Sequence, residues 1–166
     1  MLHPDRLFPA DSDTRVVTRQ LYNEVKDLPI ISPHGHTDPA WFANNQPFDD
    51  PASLFITPDH YVFRMLYSQG IPLSDLGITT RVDEAVSVTP EAAWQRFASN
   101  YHLFRGTPSR LWLDHVFSEV FGLEERLSET TAEKYYASIS DALTKPEFRP
   151  RALFERFNIE VLATTE

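Results

Sequence analysis

Cysteine is absent from all 166 residues. That excludes disulfides, thiolate metal ligands and a cysteine nucleophile, so any bound metal must rely on histidine, carboxylate or water. Basic residues are few: 15 Lys and Arg stand against 24 Asp and Glu, for a net charge of −9. An acidic surface of this kind attracts neither nucleic acid nor an anionic membrane. An anionic substrate would need a local cluster of arginine or lysine working against that field. Long apolar runs are missing as well, since none approaches the roughly 20 residues of a membrane span. The opening Met1-Leu2-His3-Pro4-Asp5 has neither the basic nor the apolar stretch of a signal peptide. A soluble, cytoplasmic protein is the default expectation, and homo-oligomerisation is left open. Core-forming residues, in contrast, are plentiful: 42% are hydrophobic and 13% aromatic, which suits a packed core rather than a disordered tail. The length fits one domain of ordinary size or a piece of a larger fold.

The chain is organised around Pro29-Ile30-Ile31-Ser32-Pro33-His34-Gly35-His36-Thr37-Asp38-Pro39. Pro29 to Ile31 read as a short buried strand. Alternate side chains of an extended backbone share a face, so His34 and His36 are expected to point the same way, with Gly35 between them adding no bulk. Two imidazoles side by side form half of a divalent metal site. The spacing alone is weak evidence: with six histidines in the chain, chance supplies roughly 0.2 His-x-His per sequence. The position strengthens it, because α/β barrels build their active sites at the C-terminal ends of their strands. The alternative is a pair of loop histidines bonded to backbone. Asp38 is within reach of the same place, but Asp38-Pro39 is better read as a turn opener.

Before this stretch, Asp11, Ser12 and Asp13 offer N-caps for a helix to about Asp27, with Val17, Leu21, Val25 and Leu28 on one face. After it, residues 38–56 read as a loop with one turn of helix from Pro51. Thr-Pro then recurs at Thr57-Pro58, Thr89-Pro90 and Thr107-Pro108. Each is read as a helix start, with Thr capping a free N–H and Pro suiting the first helical position. Gly70 and Gly122 are the expected stops. Another helix begins near Thr130, with Glu133 completing a capping box and Tyr136, Ile139 and Leu143 on one side. A brief helix over 151–157 and a second strand from Ile159 to Glu166 close the chain. A parallel strand pair joined by a long helical crossover fits the start of an α/β barrel, and two strands alone do not make a self-sufficient sheet.

Outside the histidine pair, His60 and Tyr61 fall in the first turn of a helix, whose electropositive end suits anions. Tyr61 could serve a substrate oxygen or simply pack there. Arg64, three residues on, could pair with a carboxylate or stay solvated. Arg105 and Arg110 flank the third Thr-Pro start, where a guanidinium and a helix end both recognise carboxylates; a surface turn explains them equally well. Trp94, Trp112, Phe117 and Tyr136 read as core, and His102 and His115 as structural.

Leu21-Tyr22-Asn23-Glu24-Val25-Lys26-Asp27-Leu28-Pro29-Ile30-Ile31 followed by His34-Gly35-His36-Thr37-Asp38-Pro39 resembles the opening of the uronate isomerases, members of the amidohydrolase superfamily. Asp59-His60-Tyr61, Arg64, Trp112, Phe121-Gly122-Leu123 and the closing Val161-Leu162-Ala163-Thr164-Thr165 keep that family's order. The resemblance implies a metal-dependent (β/α)8 TIM barrel, of which residues 1–166 are the N-terminal portion with strands 1 and 2, and 57–145 a large, mainly helical insertion. It implies a divalent metal, usually zinc, held by His34 and His36 and by an Asp of strand eight that this chain does not contain. It implies Tyr61 as the active-site tyrosine; His60, Arg64 and Arg105, read from their positions at helix starts, are the candidates for binding a small-molecule uronic acid. The expected reaction interconverts D-glucuronate with D-fructuronate and D-galacturonate with D-tagaturonate. Ser32-Pro33 stands where many relatives carry an acidic residue, which bears on substrate preference. Two other readings remain open from sequence: a metal-dependent hydrolase of the same superfamily, and a non-catalytic helical interaction module.

Overall fold

A computed structural model describes residues 2–79, 85 and 87–164. In chain order the elements are α1 (Ser12–Val25), β1 (Ile30–Ser32), α2 (Pro39–Asn44), α3 (Pro51–Phe55), α4 (His60–Ser68), α5 (Pro90–Ser99), α6 (Pro108–His115), α7 (Ala132–Leu143), α8 (Pro150–Arg156) and β2 (Ile159–Leu162). Short 3-10 turns lie at Leu73–Leu76, Tyr101–Phe104 and Pro146–Phe148, and α6 runs on into a wider π turn, Val116–Val120. The chain forms two compact units: Met1–Gln46 with Pro146–Glu166, and Pro47–Lys145.

The first unit holds both strands. They pair in parallel, Ile30 opposite Ile159, Ile31 opposite Val161 and Ser32 opposite Leu162, with an irregularity between Ile30 and Ile31. The parallel pair is as the sequence implies. The expected burial of the first strand is not found: Ile30 is 48% and Ile31 64% exposed, because a two-strand sheet covers neither of its own faces. Thr165 and Glu166, expected in the second strand, lie outside the described residues. Helix α1 starts where expected, the Asp11 carboxylate accepting the Thr14 amide at 2.8 Å. Its apolar face Val17, Leu21 and Val25 is also as expected, yet none of α1 is buried. Asn158, at a left-handed φ of 52°, reverses the chain between α8 and β2. Its carbonyl accepts the Ile30 amide at 2.8 Å, and its side chain reaches the Asp27 carbonyl at 3.3 Å.

The region 38–56, expected as a loop with one helical turn, contains two helices. Asp38 opens a helix and not a bare turn: its carboxylate accepts the Ala40 amide at 2.8 Å, and Pro39 fills the first position of α2. Asp50 does the same for α3.

The second unit is helical and closes on an aromatic core. Trp94, Phe97, Tyr101, Phe104 and Phe117 are at most 1% exposed. Each such burial contributes roughly 1.5–3 kcal/mol. Phe55 of α3 joins them, its ring 5.6 Å from Phe117 and 6.4 Å from Trp94. The one polar atom of the Trp94 ring is satisfied, the indole N–H donating to the Ala132 carbonyl at 3.0 Å. Thr89 and Thr107 cap α5 and α6 as the Thr-Pro pattern implies. Thr57 does not: Asp59, two residues later, takes that role for α4, since a carboxylate placed there reaches two free amides. The Thr130–Glu133 capping box does not form either. Helix α7 begins two residues after Thr130, and its N-cap residue Thr131 makes no side-chain cap bond. Its hydroxyl accepts the Ser128 amide instead. Trp112, expected in the core, is 37% exposed, although it lies against Phe55 at 6.3 Å. On α7, Tyr135 and not Tyr136 is the buried tyrosine.

Candidate functional site

The histidines lie just past β1. Ala163 donates its amide to the Ser32 carbonyl at 2.9 Å, so the ladder continues to the edge of the His34-Gly35-His36 segment. The Ser32 hydroxyl then reaches forward to the His34 carbonyl at 3.0 Å. The two rings stand 5.0 Å apart, nearly perpendicular at 81°, and both residues are exposed. The backbone between them is closely approached: a Cβ added at Gly35 would lie 3.2 Å from the Ala163 carbonyl oxygen and 3.7 Å from Leu162 Cδ1. Any side chain there would press on the neighbouring strand, a second reason for glycine beside its lack of bulk between the rings. Asp38 spends its carboxylate on α2. Among the described residues, no three His, Cys, Asp or Glu side chains stand together as a metal-binding group.

In the helical unit, Asp59 fixes the start of α4, accepting the Tyr61 amide at 2.8 Å and the Val62 amide at 3.4 Å. His60 is half-buried and its ring lies 4.2 Å from that of Tyr61. Tyr61 is 67% exposed, so it does not pack at the helix start. Arg64 is exposed one turn further along. Val62 and Leu66, both fully buried, anchor the opposite face, which leaves the Tyr61–Arg64 face available.

Arg105 is placed elsewhere in that unit. It lines an open cavity of about 610 Å³ together with His102, Arg110, Asp114, Arg126 and Glu129. Arg110 is committed to structure: its Nε donates to Asp114 at 2.7 Å, its Nη1 donates to the Tyr101 carbonyl at 3.1 Å, and its guanidinium lies 3.9 Å from the Tyr101 ring centre. The Tyr101 hydroxyl donates to the same carboxylate at 2.9 Å. Burial first, and then the Asp114 charge, hold that hydroxyl well above the ordinary tyrosine range. Arg105 faces solvent, whereas Arg110 does not act as a free cation. Sequence reasoning missed the caps at Asp38 and Asp59, although an acidic residue one or two positions before a helical pattern is a readable signal.

A parallel strand pair joined through helices, with two imidazoles side by side past the end of the first strand, defines an α/β protein of mostly helical content. The chain belongs to the glucuronate isomerase family, whose sequence model matches residues 10–166. It is 66% identical over 165 residues to the uronate isomerase of Rhizorhabdus wittichii and 63% identical over 165 residues to that of Phenylobacterium zucineum. In both cases 99% of this chain aligns with 34% of the relative. The crystal structure of glucuronate isomerase from Caulobacter crescentus superposes with a TM-score of 0.96 at 57% identity, over 100% of this chain and 34% of that one. Uronate isomerase from Thermotoga maritima superposes with a TM-score of 0.77 at 29% identity, over 89% and 30%. The chain thus spans about a third of the length of the curated relatives it matches.

Proposed function

We propose that this chain supplies the N-terminal portion of a metal-dependent uronate isomerase on an amidohydrolase-type (β/α)8 barrel. The observation that carries the reading is the pair of rings 5.0 Å apart beyond the first of two parallel strands, in a chain of the glucuronate isomerase family. The proposed substrates are D-glucuronate and D-galacturonate, converted to D-fructuronate and D-tagaturonate by proton transfer between C1 and C2.

The donor set suits a divalent ion of intermediate softness such as zinc. Imidazole nitrogens are its usual partners where thiolates are lacking, and the chain has no cysteine. His34 and His36 would hold that ion as half of its protein ligands. When bound, it supplies Lewis acidity toward the oxygens on the reacting carbons. Tyr61 presents its phenol at the exposed start of α4 and serves a substrate oxygen as hydrogen-bond donor or proton carrier. His60, beside it, binds the sugar hydroxyls. Arg64, on the same helix, binds the uronate carboxylate, and Arg105 is the second guanidinium candidate for that role. A guanidinium in that role supplies locally the positive charge that an overall charge of −9 lacks.

The direct test is conversion of D-glucuronate to D-fructuronate by the full-length protein. Tyr61→Phe is expected to lower kcat by about a hundredfold or more, and His34→Ala to abolish turnover. Wild-type rates in Tyr61→Phe would remove Tyr61 from the chemistry. The 166-residue chain is expected to bind zinc only weakly by calorimetry. Tight stoichiometric binding lost in His34→Ala would mean that a third ligand lies within these residues.

A further inference from the structure

Two helices of the strand unit cap each other across 106 residues of sequence. Helix α2 ends at Asn44, and its last carbonyls have no helical partner. Arg151 meets them: its Nε donates to the Phe42 carbonyl at 2.8 Å and its Nη2 to the Ala43 carbonyl at 3.0 Å. Helix α8 begins at Pro150, and its N-cap residue Arg149 gives no side-chain cap. The Asn45 side-chain oxygen fills that place, accepting the Arg151 amide at 3.1 Å. Asn45 can do so because it ends α2 in the left-handed conformation, at φ 51° and ψ 36°, which asparagine tolerates better than most residues. Each helix therefore supplies the group that satisfies the other's free end. The Phe42 and Phe154 rings seal the contact edge-on at 5.8 Å.

A short connection links this joint to the histidines. Residues 33–38 run from β1, held by the Ala163–Ser32 bond, to the Asp38 cap of α2. How firmly both ends are held bears on the freedom of this segment. The sheet ladder holds one end, and the reciprocal cap holds the helix at the other. We propose that Arg151, seconded by Asn45, is a positioning residue that fixes the His34-Gly35-His36 segment. The use of that positioning for metal rests on the functional reading above, whereas the positional effect does not.

Amide hydrogen exchange on the 166-residue chain reads the effect along the backbone, and NMR of the imidazole rings reads it at the histidines. In Arg151→Met, exchange across residues 33–45 is expected to be about tenfold faster than in the parent chain. The His34 and His36 ring signals shift or broaden, while the Ile30 and Ala163 amides and the thermal midpoint of the helical unit stay unchanged. Asn45→Ala, which keeps the guanidinium, gives a smaller change in the same segment. Arg151→Lys recovers part of the loss, because the cation returns without its two-pronged geometry. Unchanged exchange over 33–45 in both Arg151→Met and Asn45→Ala overturns the proposal. So does faster exchange with unmoved ring signals. Zinc content of the purified full-length protein, parent against His34→Ala, tests the functional reading separately. Equal zinc content in the two removes the metal role of the histidines and leaves the exchange result to decide the positioning role.

Discussion

Trp94, Phe97, Phe104 and Phe117 in the helical unit are at most 1% exposed, whereas Val17, Leu21, Val25 and Ile31 in the strand unit are 53% to 65% exposed. The helical unit is held by burial. Its rings pack edge to face around Phe55, Trp94 and Phe117, and its polar atoms are tied inward, as at Tyr101–Asp114–Arg110. The strand unit is held by directional bonds: the parallel ladder, the Asn158 reversal and the reciprocal cap at Asn45 and Arg151. Apolar burial is lost in proportion to the volume removed, while hydrogen-bonded ties fail one at a time. The two units should therefore answer substitution differently, and the candidate residues are distributed across both: His34 and His36 on the bond-tied unit, Tyr61 and Arg64 on the packed one.

The largest effect is expected at Trp94. Trp94→Ala removes a side chain that is 1% exposed, together with its bond to the Ala132 carbonyl. It should cost about 3–5 kcal/mol, read as a drop in the urea midpoint followed by circular dichroism. A cost below about 1 kcal/mol, the scale of an ordinary substitution, would show that this core does not organise the unit.

Alkaline pH provides a second and smaller contrast. Burial, then the charges of Asp114 and Glu125, push the Tyr135 hydroxyl up to about 12 from its ordinary 10.0, and Tyr101 is raised in the same direction. The raised value favours the neutral phenol in the folded state. Its stabilising contribution is complete below pH 10 and falls away as pH rises from about 10 to about 12, because the unfolded chain ionises first. For Tyr135 that loss is at most about 2–3 kcal/mol, less whatever solvent screens. Unfolding titrations between pH 9 and pH 12 should show it. Tyr135→Phe should flatten the curve; an unaltered slope would mean that Tyr135 does not contribute.

The residues that announced themselves in the sequence are those whose structure is local. Thr89-Pro90 and Thr107-Pro108 begin helices because cap and ring act within one turn, and Gly70 after α4 and Gly122 after the π turn stand at φ 88° and 69°. The pairing of two short β-branched segments in parallel was readable from their separation by a helical crossover. Helix α2 was not, since six residues give too little periodicity to stand out from a loop rich in Asn, Asp and Pro. The exposure of Ile30 and Ile31 was unreadable for a different reason: an apolar strand states what it would bury, and only the fold states what covers it. The histidine pair was legible because its geometry spans three residues. Arg151 was not, because its partners stand 106 to 109 positions away, and no local pattern marks a residue that caps a distant helix.

The contrast can be sharpened within the strand unit by two substitutions that differ in where the bulk goes. Gly35→Ala places a Cβ 3.2 Å from the Ala163 carbonyl oxygen, a backbone atom of the paired strand that yields only if the ladder shifts. The expected cost is about 1 kcal/mol, with altered His34 and His36 ring signals in NMR. Leu21→Ala removes far more volume from a side chain that is 65% exposed, yet should change stability by no more than about 0.5 kcal/mol. Little burial is lost, and alanine is at least as good a helix former as leucine. Chemical denaturation of both variants against the parent chain measures the difference. If Leu21→Ala proved the costlier, the apolar face of α1 would be covered in solution. Sedimentation velocity over a range of concentrations would then show whether a second copy of the chain provides the cover.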